Sequence, residues 1–269
     1  MGSLPARDPR IYVGGGILLA LIALALIGPH FTSDPLMPDP ESILQPPSSA
    51  ELLGTDNYGR SVLARVVGGA QLDLLIALFA AVLAFVVGSL VGGFTGFAGG
   101  FVDDVMMRLV DILQSFPAFL LALGVAAMLG NEIRNVVLAI AVAYCPYFVR
   151  IVRGEMLAAR VTPYALAARA VGNPPTRVML YHLLPNCLGP SIVQLTLCLG
   201  YSILDAAGLS FLGIGIRPPT AEWGVLVAEG TQYVNSGQWW IAGFPGLAIL
   251  LAVLCFNLLG DRLREAVRA

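Results

Sequence analysis

The sequence contains no lysine, so its 15 basic residues are all arginines. The nucleotide-binding loop of P-loop ATPases needs a lysine that reaches the β- and γ-phosphates of ATP. This chain lacks that lysine, which excludes ATP hydrolysis by a P-loop, and we expect it to bind no cofactor of its own. A formal net charge of −2 also leaves no basic excess of the kind that binds nucleic acid.

Charged residues of either sign are scarce, at 12% of the chain, whereas 57% of the residues are hydrophobic. Soluble globular domains average about 25% charged residues. Together with a mean hydropathy of +0.81, this composition predicts a multi-pass membrane protein.

Cysteine is also rare, with four residues and no C-x-x-C pair. The four, Cys145, Cys187, Cys198 and Cys255, lie in or beside apolar runs. This setting is typical of small packing side chains and not of metal ligands or disulfides.

Long apolar runs are abundant, and six of them approach the length that crosses a bilayer. A helix rises 1.5 Å per residue, so about 20 apolar residues cross roughly 30 Å of hydrocarbon. The chain is therefore predicted to be all-α, with six transmembrane helices. The runs cover residues 11–27, 74–97, 106–129, 133–151, 183–204 and 241–260. No small-residue cleavage site follows the first run, which we interpret as a retained helix and not as a signal peptide.

The segments between these runs suggest a division of the chain. Residues 1–28 are predicted to hold an N-terminal tail and the first transmembrane helix, 29–71 a polar external segment, and 72–269 the transmembrane core. Within this core we expect a cytoplasmic loop at 152–184 and an external loop at 208–238.

The arginines indicate the orientation. With six helices the two termini share a side, and eleven arginines fall on that side against four on the other. Cytoplasmic segments carry the excess of basic residues, so both termini and the 152–184 loop are predicted to be cytoplasmic. The eleven are Arg7, Arg10, Arg108, Arg150, Arg153, Arg160, Arg169, Arg177, Arg262, Arg264 and Arg268, and the four are Arg60, Arg65, Arg134 and Arg217.

A glycine stripe ends the second run, because Gly88, Gly92, Gly96 and Gly100 recur every four residues. Residues four apart share a helix face, and small residues allow two helix backbones to approach closely. We therefore predict that this face packs against another helix and does not face lipid.

Few polar side chains interrupt the apolar runs. Asp111, Ser115 and Gln194 are candidates for lining a pathway, since ionisable and polar groups at membrane depth usually face the protein interior. Asp111 also follows Arg108 by three residues, so a local ion pair is the alternative explanation. Asp205 is expected to end the fifth helix as an interfacial charge.

The stretch from Tyr164 to Asn186 is a polar, helix-competent island between apolar runs. Thr162 is predicted to cap a short helix that ends at Gly172, where glycine permits the left-handed conformation. Asn173 is predicted to start a second short helix, which Pro185 interrupts.

Small residues on the first of these helices suggest a docking face. Ala167, Ala168 and Gly172 are expected to share one side, and the spacing from Ala168 to Gly172 is four residues. Such a side can enter a groove without steric conflict, with Arg169 or Arg177 at its rim.

Several motifs resemble those of a known family. Ala167-Ala168, Gly172 and Leu184-Pro185 resemble the EAA loop of bacterial ABC importer permeases, although Leu166 stands where that family usually has glutamate. The sequences LLGTDNYGR at 52–60 and LSFLGIGIRPPTAEWG at 209–224 resemble signatures of the dipeptide, oligopeptide and nickel branch. From residue 52 to 266 the chain resembles the C-type permease subunits of that branch.

The resemblance implies a fold, a location and partners. The fold would be that of type I ABC importer permeases, in the bacterial cytoplasmic (inner) membrane. The partners would be a second homologous permease subunit in a heterodimer, two cytoplasmic ATPase subunits that bind ATP and Mg, and an external solute-binding protein.

The resemblance also implies roles for particular residues. Those expected to couple the chain to the ATPase are Tyr164, Leu166, Ala167, Ala168, Arg169, Gly172, Leu184 and Pro185. Those expected to contact the binding protein are Asp56, Asn57, Arg60, Glu222 and Trp223.

The expected function is that of a non-catalytic subunit that forms half of a translocation pathway for di- or oligopeptides. Chelated nickel, haem or opines are alternative cargoes within the same importer class. An ATP-independent secondary transporter is the competing class. It would need buried ionisable groups and commonly an inverted repeat, whereas we find no inverted repeat and place Asp111 and Asp205 near membrane edges.

Overall fold

The computed structural model describes residues 9–268, with side chains from Tyr12 to Glu265. Arg7 lies outside the described residues, as do the side chains of Arg10 and Arg268, so their part in the arginine count stays a prediction. Between residues 9 and 268 the chain forms helices and no β-strand, and one isolated antiparallel bridge joins Thr55 to Ser61.

Eleven α-helices follow one another along the described chain. They are α1 (Pro9–Ile27), α2 (Val62–Ala98), α3 (Gly100–Gln114), α4 (Ala118–Leu129), α5 (Ile133–Ala159), α6 (Pro163–Ala170), α7 (Pro175–Arg177), α8 (Leu184–Cys187), α9 (Gly189–Phe211), α10 (Trp223–Val234) and α11 (Trp240–Arg268). Short 3₁₀ turns at Gly28–His30 and Pro40–Ser42 and a π-helical turn at Val178–Leu183 complete the helical segments.

Five of these helices, α1, α2, α5, α9 and α11, are long and apolar enough to cross a membrane. Helices α3 and α4 pass the same test only as a pair, with a bend of 90° between them. Taken as one broken span, the pair brings the total to six, the number of apolar runs in the sequence.

The bend corrects the prediction of one helix over residues 106–129. Pro117 has no N–H to continue the helical ladder, and proline disfavours the α conformation in the residue before it. Pro117 accordingly takes an extended conformation with ψ of 133° and becomes the N-cap of α4. The polar residues before the break therefore lie on a separate helix, α3.

Two other predicted boundaries differ from the structure. Helix α2 begins at Val62, so residues 62–71 are helical and continuous with a candidate membrane-spanning helix. The fifth run begins only at Gly189 and continues to Phe211, so Asp205 lies inside α9 and does not end it.

The glycine stripe of α2 confirms the predicted close packing at three of its four positions. A Cβ atom at Gly88 would lie 2.6 Å from the Cβ of Phe148, and one at Gly92 would lie 2.3 Å from the carbonyl oxygen of Val149. A Cβ at Gly96 would lie 2.8 Å from the carbonyl oxygen of Arg153. All three neighbours belong to α5, so α2 and α5 pack backbone to backbone.

The fourth glycine does not share this role. Gly100 starts α3 beyond the end of α2, has φ of +60°, and has open space where a Cβ would stand. The packed face therefore ends at Gly96.

Three apolar clusters hold the bundle together. One lies between α2, α4, α5 and α9, around residues such as Ile140 and Phe148. A second joins α1, α10 and α11 to the first part of α2, around Trp223 and Trp240. A third, smaller cluster lies beneath α6 and includes Met156 and Leu183.

Substitution of Gly92 by leucine is expected to destabilise the chain. The side chain must displace the Val149 backbone, and overpacking of this kind costs about 1–3 kcal/mol. Gly154→Leu on α5 is the matched control, because a Cβ there meets nothing within 4 Å. Thermal unfolding of the two detergent-solubilised variants measures the difference, and equal midpoints would show that the α2 stripe is not a packing face.

Candidate functional site

The predicted site residues lie at the two ends of the bundle and on the helices between them. We call residues 160–188 the hairpin, and residues 31–61 together with 212–239 the loop end. Helix α2 begins next to the loop end and finishes beside the hairpin, where Arg160 Nη1 donates to the carbonyl oxygen of Gly96 over 3.0 Å.

The hairpin begins as predicted, although its capping bonds differ. Helix α6 follows Thr162 and is closed by Gly172, whose φ of +88° is the left-handed conformation expected there. The Thr162 hydroxyl, however, donates 2.6 Å to the carbonyl oxygen of Ala159 and caps no N–H of α6. Asn173 does not cap the start of the next helix either. Its side-chain amide donates 2.9 Å back to the carbonyl oxygen of Ala168 in α6.

The second half of the hairpin is shorter and more irregular than expected. Helix α7 has Pro174 as its N-cap and passes into the π-helical turn before α8. Pro185 lies in the first turn of α8, where a missing N–H breaks no hydrogen bond. The proline therefore marks a new helix start and does not simply interrupt one helix.

One side of α6 is attached to the bundle. Ala165 is fully buried and packs with Met156, Val178 and Leu183 in the third apolar cluster. The Arg169 guanidinium lies over the ring of Phe97, 5.3 Å from its centroid, a cation–π contact with the last turn of α2.

The opposite side of α6 is apolar and exposed. Leu166 is 55% exposed and Val171 is 83% exposed, and Ala167 and Ala170 lie between them on the same surface. Positions three and four apart share a helix face, so these residues form one outward strip. We call Leu166, Ala167, Ala170 and Val171 the outer strip of α6.

The outer strip corrects the predicted docking face. Ala168 is half-buried and packs against the third apolar cluster, so it faces the bundle and not a groove in a partner. Of the remaining coupling candidates, Leu184 is buried, while Tyr164, Leu166, Ala167, Arg169, Gly172 and Pro185 are exposed.

At the loop end, the LLGTDNYGR motif folds around the carboxylate of Asp56. Its Oδ1 accepts from the backbone N–H groups of Tyr58 and Arg60 over 2.8 and 3.0 Å. Its Oδ2 accepts from Arg60 Nε and from Arg65 Nη1, both at 2.7 Å. Arg65 Nη1 also donates 2.7 Å to Glu229 of α10, so two arginines and two carboxylates neutralise one another.

This network changes the interpretation of the motif. Asp56 is 1% exposed and Arg60 is 5% exposed, so these side chains are enclosed by their own chain and do not form a contact surface. Asn57 is half-buried, and Tyr58 beside it is 53% exposed. The partners that explain the burial, Arg65 and Glu229, were not singled out from the sequence.

Glu222 and Trp223 are also enclosed, at 0% exposure. The Trp223 indole donates 2.9 Å to the carbonyl oxygen of Val66, and its backbone N–H donates 3.0 Å to Asp73 Oδ2. The PTAEWG motif thereby attaches the start of α10 to α2. The expectation that these two side chains contact a partner therefore does not agree with their burial.

Asp73 and Glu222 form a buried pair of carboxyl groups. Asp73 Oδ1 and Glu222 Oε1 are both enclosed and have no other hydrogen-bond partner among the described residues. Two buried carboxylates side by side repel each other, and one shared proton removes the repulsion and satisfies both oxygens.

Burial raises the pKa of Glu222 above its ordinary value of 4.5. Hydrogen bonds to its carboxylate, including one of 2.8 Å from the Val225 backbone N–H, act in the opposite direction. The net effect of the enclosed position is to favour the protonated carboxyl group.

Two of the three candidate pathway residues, Asp111 and Ser115, lie one helical turn apart at the end of α3, and the third, Gln194, lies on α9. Asp111 binds Arg150 of α5 at 2.6 Å and not Arg108, so the pair joins two helices and the predicted local pair is wrong. Ser115 donates 2.7 Å to the carbonyl oxygen of Ile112, and Gln194 lies half-buried on α9. Asp111 and Arg150 are 63% and 54% exposed, so their pairing is accessible from outside the subunit.

Asp205, which the sequence analysis interpreted as an interfacial charge at a helix end, lies buried inside α9 instead. It is 7% exposed inside α9, and the Tyr144 hydroxyl of α5 donates 2.7 Å to its Oδ2. A spacing signal was present, because Asp205 follows Gln194 by eleven residues, three helical turns that return to the same face.

Comparison with known proteins identifies similar sequences. Residues 88–269 match the model of the family described as binding-protein-dependent transport system inner membrane component. The chain is 43% identical to a putative peptide transport system permease protein of Brucella abortus over 264 residues, 97% of this chain and 88% of the relative. It is 39% identical to the dipeptide transport system permease protein DppC of Alkalihalophilus pseudofirmus over 262 residues, 97% of this chain and 86% of the relative.

A solved structure shares the fold. The MetNI methionine ABC transporter in inward-facing conformations contains a chain that aligns with a TM-score of 0.57 at 21% identity. The alignment covers 76% of this chain and 96% of that one. The helical bundle described here therefore has the fold of an ABC importer permease.

Asp56→Ala is expected to destabilise the chain, because it leaves Arg60 and Arg65 enclosed without their shared carboxylate. Removing one partner of a buried ion pair costs about 3–5 kcal/mol. The control is Glu132→Ala, which removes an ion pair with Arg134 whose side chains are 60% and 77% exposed, and such pairs contribute about 0–1 kcal/mol. Equal unfolding midpoints for the two variants in detergent would contradict the structural role of the Asp56 network.

The carboxyl pair predicts a loss of stability as the pH rises above about 4.5. Because the pKa of Glu222 is raised above 4.5 in the folded chain, the unfolded chain releases this proton first as the pH rises. Stability then falls by at most about 1.4 kcal/mol per pH unit until Glu222 ionises in the folded chain as well. Thermal unfolding from about pH 5 to pH 9 measures this slope.

Asp73→Asn is the control for this pH dependence. Its amide can donate to the Glu222 carboxylate, which removes the repulsion between the two groups, so the loss of stability with rising pH should shrink. An undiminished loss in this variant would assign the pH dependence to other groups.

Proposed function

Because the chain belongs to the family of binding-protein-dependent transport system inner membrane components, we propose that it forms half of the translocation pathway of an ATP-driven peptide importer. Membership gives the general function, a permease subunit of an ABC importer. The peptide cargo is supported by relatives named as peptide and dipeptide transport permeases, which match almost the whole chain.

We propose that the other components are those of its importer class. They are a second, homologous permease that supplies the other half of the pathway, two ATPase subunits and an external solute-binding protein. ATP and Mg bind the ATPase subunits in this arrangement, and this chain contributes no catalytic group.

The proposed orientation places the hairpin in the cytoplasm and the loop end outside the inner membrane of a bacterium. Arg150, Arg153, Arg160, Arg169 and Arg177 lie on the hairpin or on the last turns of α5 that lead into it. At the other end, Arg60 and Arg65 are neutralised by Asp56 and Glu229 and contribute little net charge. The positive-inside rule therefore supports a cytoplasmic hairpin.

The outer strip of α6 is the observation that carries the proposed coupling to the ATPase. Exposure of an apolar strip to water is unfavourable, and exposed apolar surfaces of this kind mark binding sites. Leu166, which is 55% exposed, replaces the acid usual in the family, so docking here depends on apolar fit.

We assign the contact with the solute-binding protein to exposed residues of the loop end, in place of the buried residues that the sequence suggested. Tyr58 is 53% exposed and Leu52 is 64% exposed, beside the enclosed Asp56 network. These side chains line the surface that the network holds rigid. A rigid outer surface suits recognition of a folded partner, because little conformational freedom is lost on binding.

Ala167→Trp is the test of coupling, because the indole would occupy the groove of the ATPase subunit without disturbing the attached side of α6. A steric penalty of about 1–3 kcal/mol corresponds to roughly a 5- to 150-fold loss of affinity. We expect retention of the ATPase in pull-downs and binding-protein-stimulated ATP hydrolysis to fall about tenfold or more.

The matched control is Ala50→Trp, the same substitution at an exposed alanine of the loop end. It should leave retention of the ATPase in pull-downs unchanged, which is the readout that does not depend on the binding protein. Ala168→Trp is unsuitable, since Ala168 packs inward and the variant would test folding. Full ATPase binding and peptide uptake by Ala167→Trp would show that α6 is not the coupling element.

A further inference from the structure

A carboxylate inside a membrane-spanning helix is costly and usually marks a functional position. Asp205 lies six residues before the end of α9 at Phe211, about 9 Å along the helix axis. Only one of its oxygens, Oδ2, accepts a hydrogen bond from the described chain, at 2.7 Å from the Tyr144 hydroxyl. Oδ1 is not among the enclosed unpaired polar atoms, so it remains available to a ligand.

Three tyrosine rings lie together on this side of the bundle: Tyr144, which donates to the carboxylate, and Tyr147 and Tyr201 beside it. The ring of Tyr144 is parallel to that of Tyr201, with centroids 6.3 Å apart, and lies 6.0 Å from that of Tyr147. Tyr201 is 44% exposed and Tyr147 is 38% exposed. The group, which we call the Asp205 cluster, therefore opens onto the outer surface of the bundle between α5 and α9.

A line of polar side chains leads from this cluster towards the hairpin. On α9, Gln194, Tyr201 and Asp205 recur at spacings of seven and four residues, which is one helix face. On α5, Tyr147 is followed after three residues by Arg150, which binds Asp111. An unbroken apolar surface would be expected if this side of the bundle faced lipid.

We propose that the Asp205 cluster binds the N-terminal ammonium group of the transported peptide during translocation. This inference rests on the proposed function and names the part of the substrate that the chain recognises. An ammonium group can donate to Asp205 Oδ1 in a charge-assisted hydrogen bond, while tyrosine rings attract cations through their π faces. Every peptide with a free amino terminus carries this group, so the site suits cargoes of varied sequence.

A purely structural contact between α5 and α9 does not explain the cluster. Tyrosine can donate equally well to a neutral acceptor, so a hydrogen bond between the helices needs no carboxylate. The charge is expensive within the membrane unless something compensates it. The arriving ammonium group provides that compensation, since a nearby opposite charge favours the ionised form.

Two substitutions separate the charge from the hydrogen bond. Asp205→Asn removes the charge but keeps a carbonyl oxygen that accepts from Tyr144. Tyr144→Phe removes the hydrogen bond but keeps the charge. Each is to be reconstituted in liposomes with the partner permease, the ATPase subunits and saturating binding protein, and uptake of a radiolabelled neutral dipeptide is measured beside stimulated ATP hydrolysis.

We expect Asp205→Asn to lower peptide uptake about tenfold, the effect of losing one charge-assisted hydrogen bond. Its thermal unfolding and the stimulated ATP hydrolysis should stay at the wild-type level. Tyr144→Phe should lower uptake less than about threefold, and Asp205→Glu should restore most of the uptake lost in Asp205→Asn. Asp104→Asn, an exposed carboxylate of α3 outside the cluster, is the control and should transport normally.

Wild-type uptake by Asp205→Asn would overturn the inference. A larger loss in Tyr144→Phe than in Asp205→Asn would also overturn it, because that order indicates a structural hydrogen bond. A lowered unfolding temperature of Asp205→Asn would do the same. Failure of the proposed function is a different result, namely no peptide uptake and no stimulated ATP hydrolysis by the wild-type complex.

Discussion

Close backbone contact between α2 and α5 is the constraint on which the rest of the structure depends. Gly88, Gly92 and Gly96 leave no room for side chains, so the two helices are fixed in register with each other. Helix α2 has 37 residues and is therefore about 55 Å long. Its first turns carry Arg65 and Asp73 into the loop end, and its last carbonyl groups accept from Arg160 beside the hairpin. Helix α2, packed against α5, thus contacts both the loop end and the hairpin.

Charge neutralisation within the bundle accounts for a second group of contacts. Asp56 and Glu229 share Arg60 and Arg65, and Asp103 binds Arg153 at 2.6 Å. The enclosed residues of the loop-end motifs, Asp56, Arg60, Glu222 and Trp223, thus have a structural role, since they keep charged groups enclosed and hold α10 against α2. Asp205 differs from all of these, because its only described partner is a neutral tyrosine hydroxyl.

Local patterns in the sequence predicted the features that depend on neighbouring residues. The apolar runs, the close packing at Gly88, Gly92 and Gly96, and the helix that ends at Gly172 depend on periodicity and glycine conformation, and the structure contains them. The straight helix over 106–129 was wrong because the effect of Pro117 was underestimated. Contacts between distant segments were not predictable in this way: Asp73 accepts from Trp223, 150 residues away, and Asp111 binds Arg150 instead of its neighbour Arg108.

The orientation of α6 was also not predictable from local sequence patterns, because it depends on contacts with distant residues. Its small residues were recognised, but the sequence did not show which of them face Met156 and Leu183 and which face outwards. We propose that the outer strip of α6 docks on an ATPase subunit. Photo-crosslinking from Val171, which is 83% exposed, in the assembled complex is the most direct test. We expect a crosslink to the ATPase from Val171 and none from Tyr58 at the loop end. A crosslink from Val171 to the solute-binding protein, or crosslinks to lipid alone, would show that the strip does not dock on the ATPase.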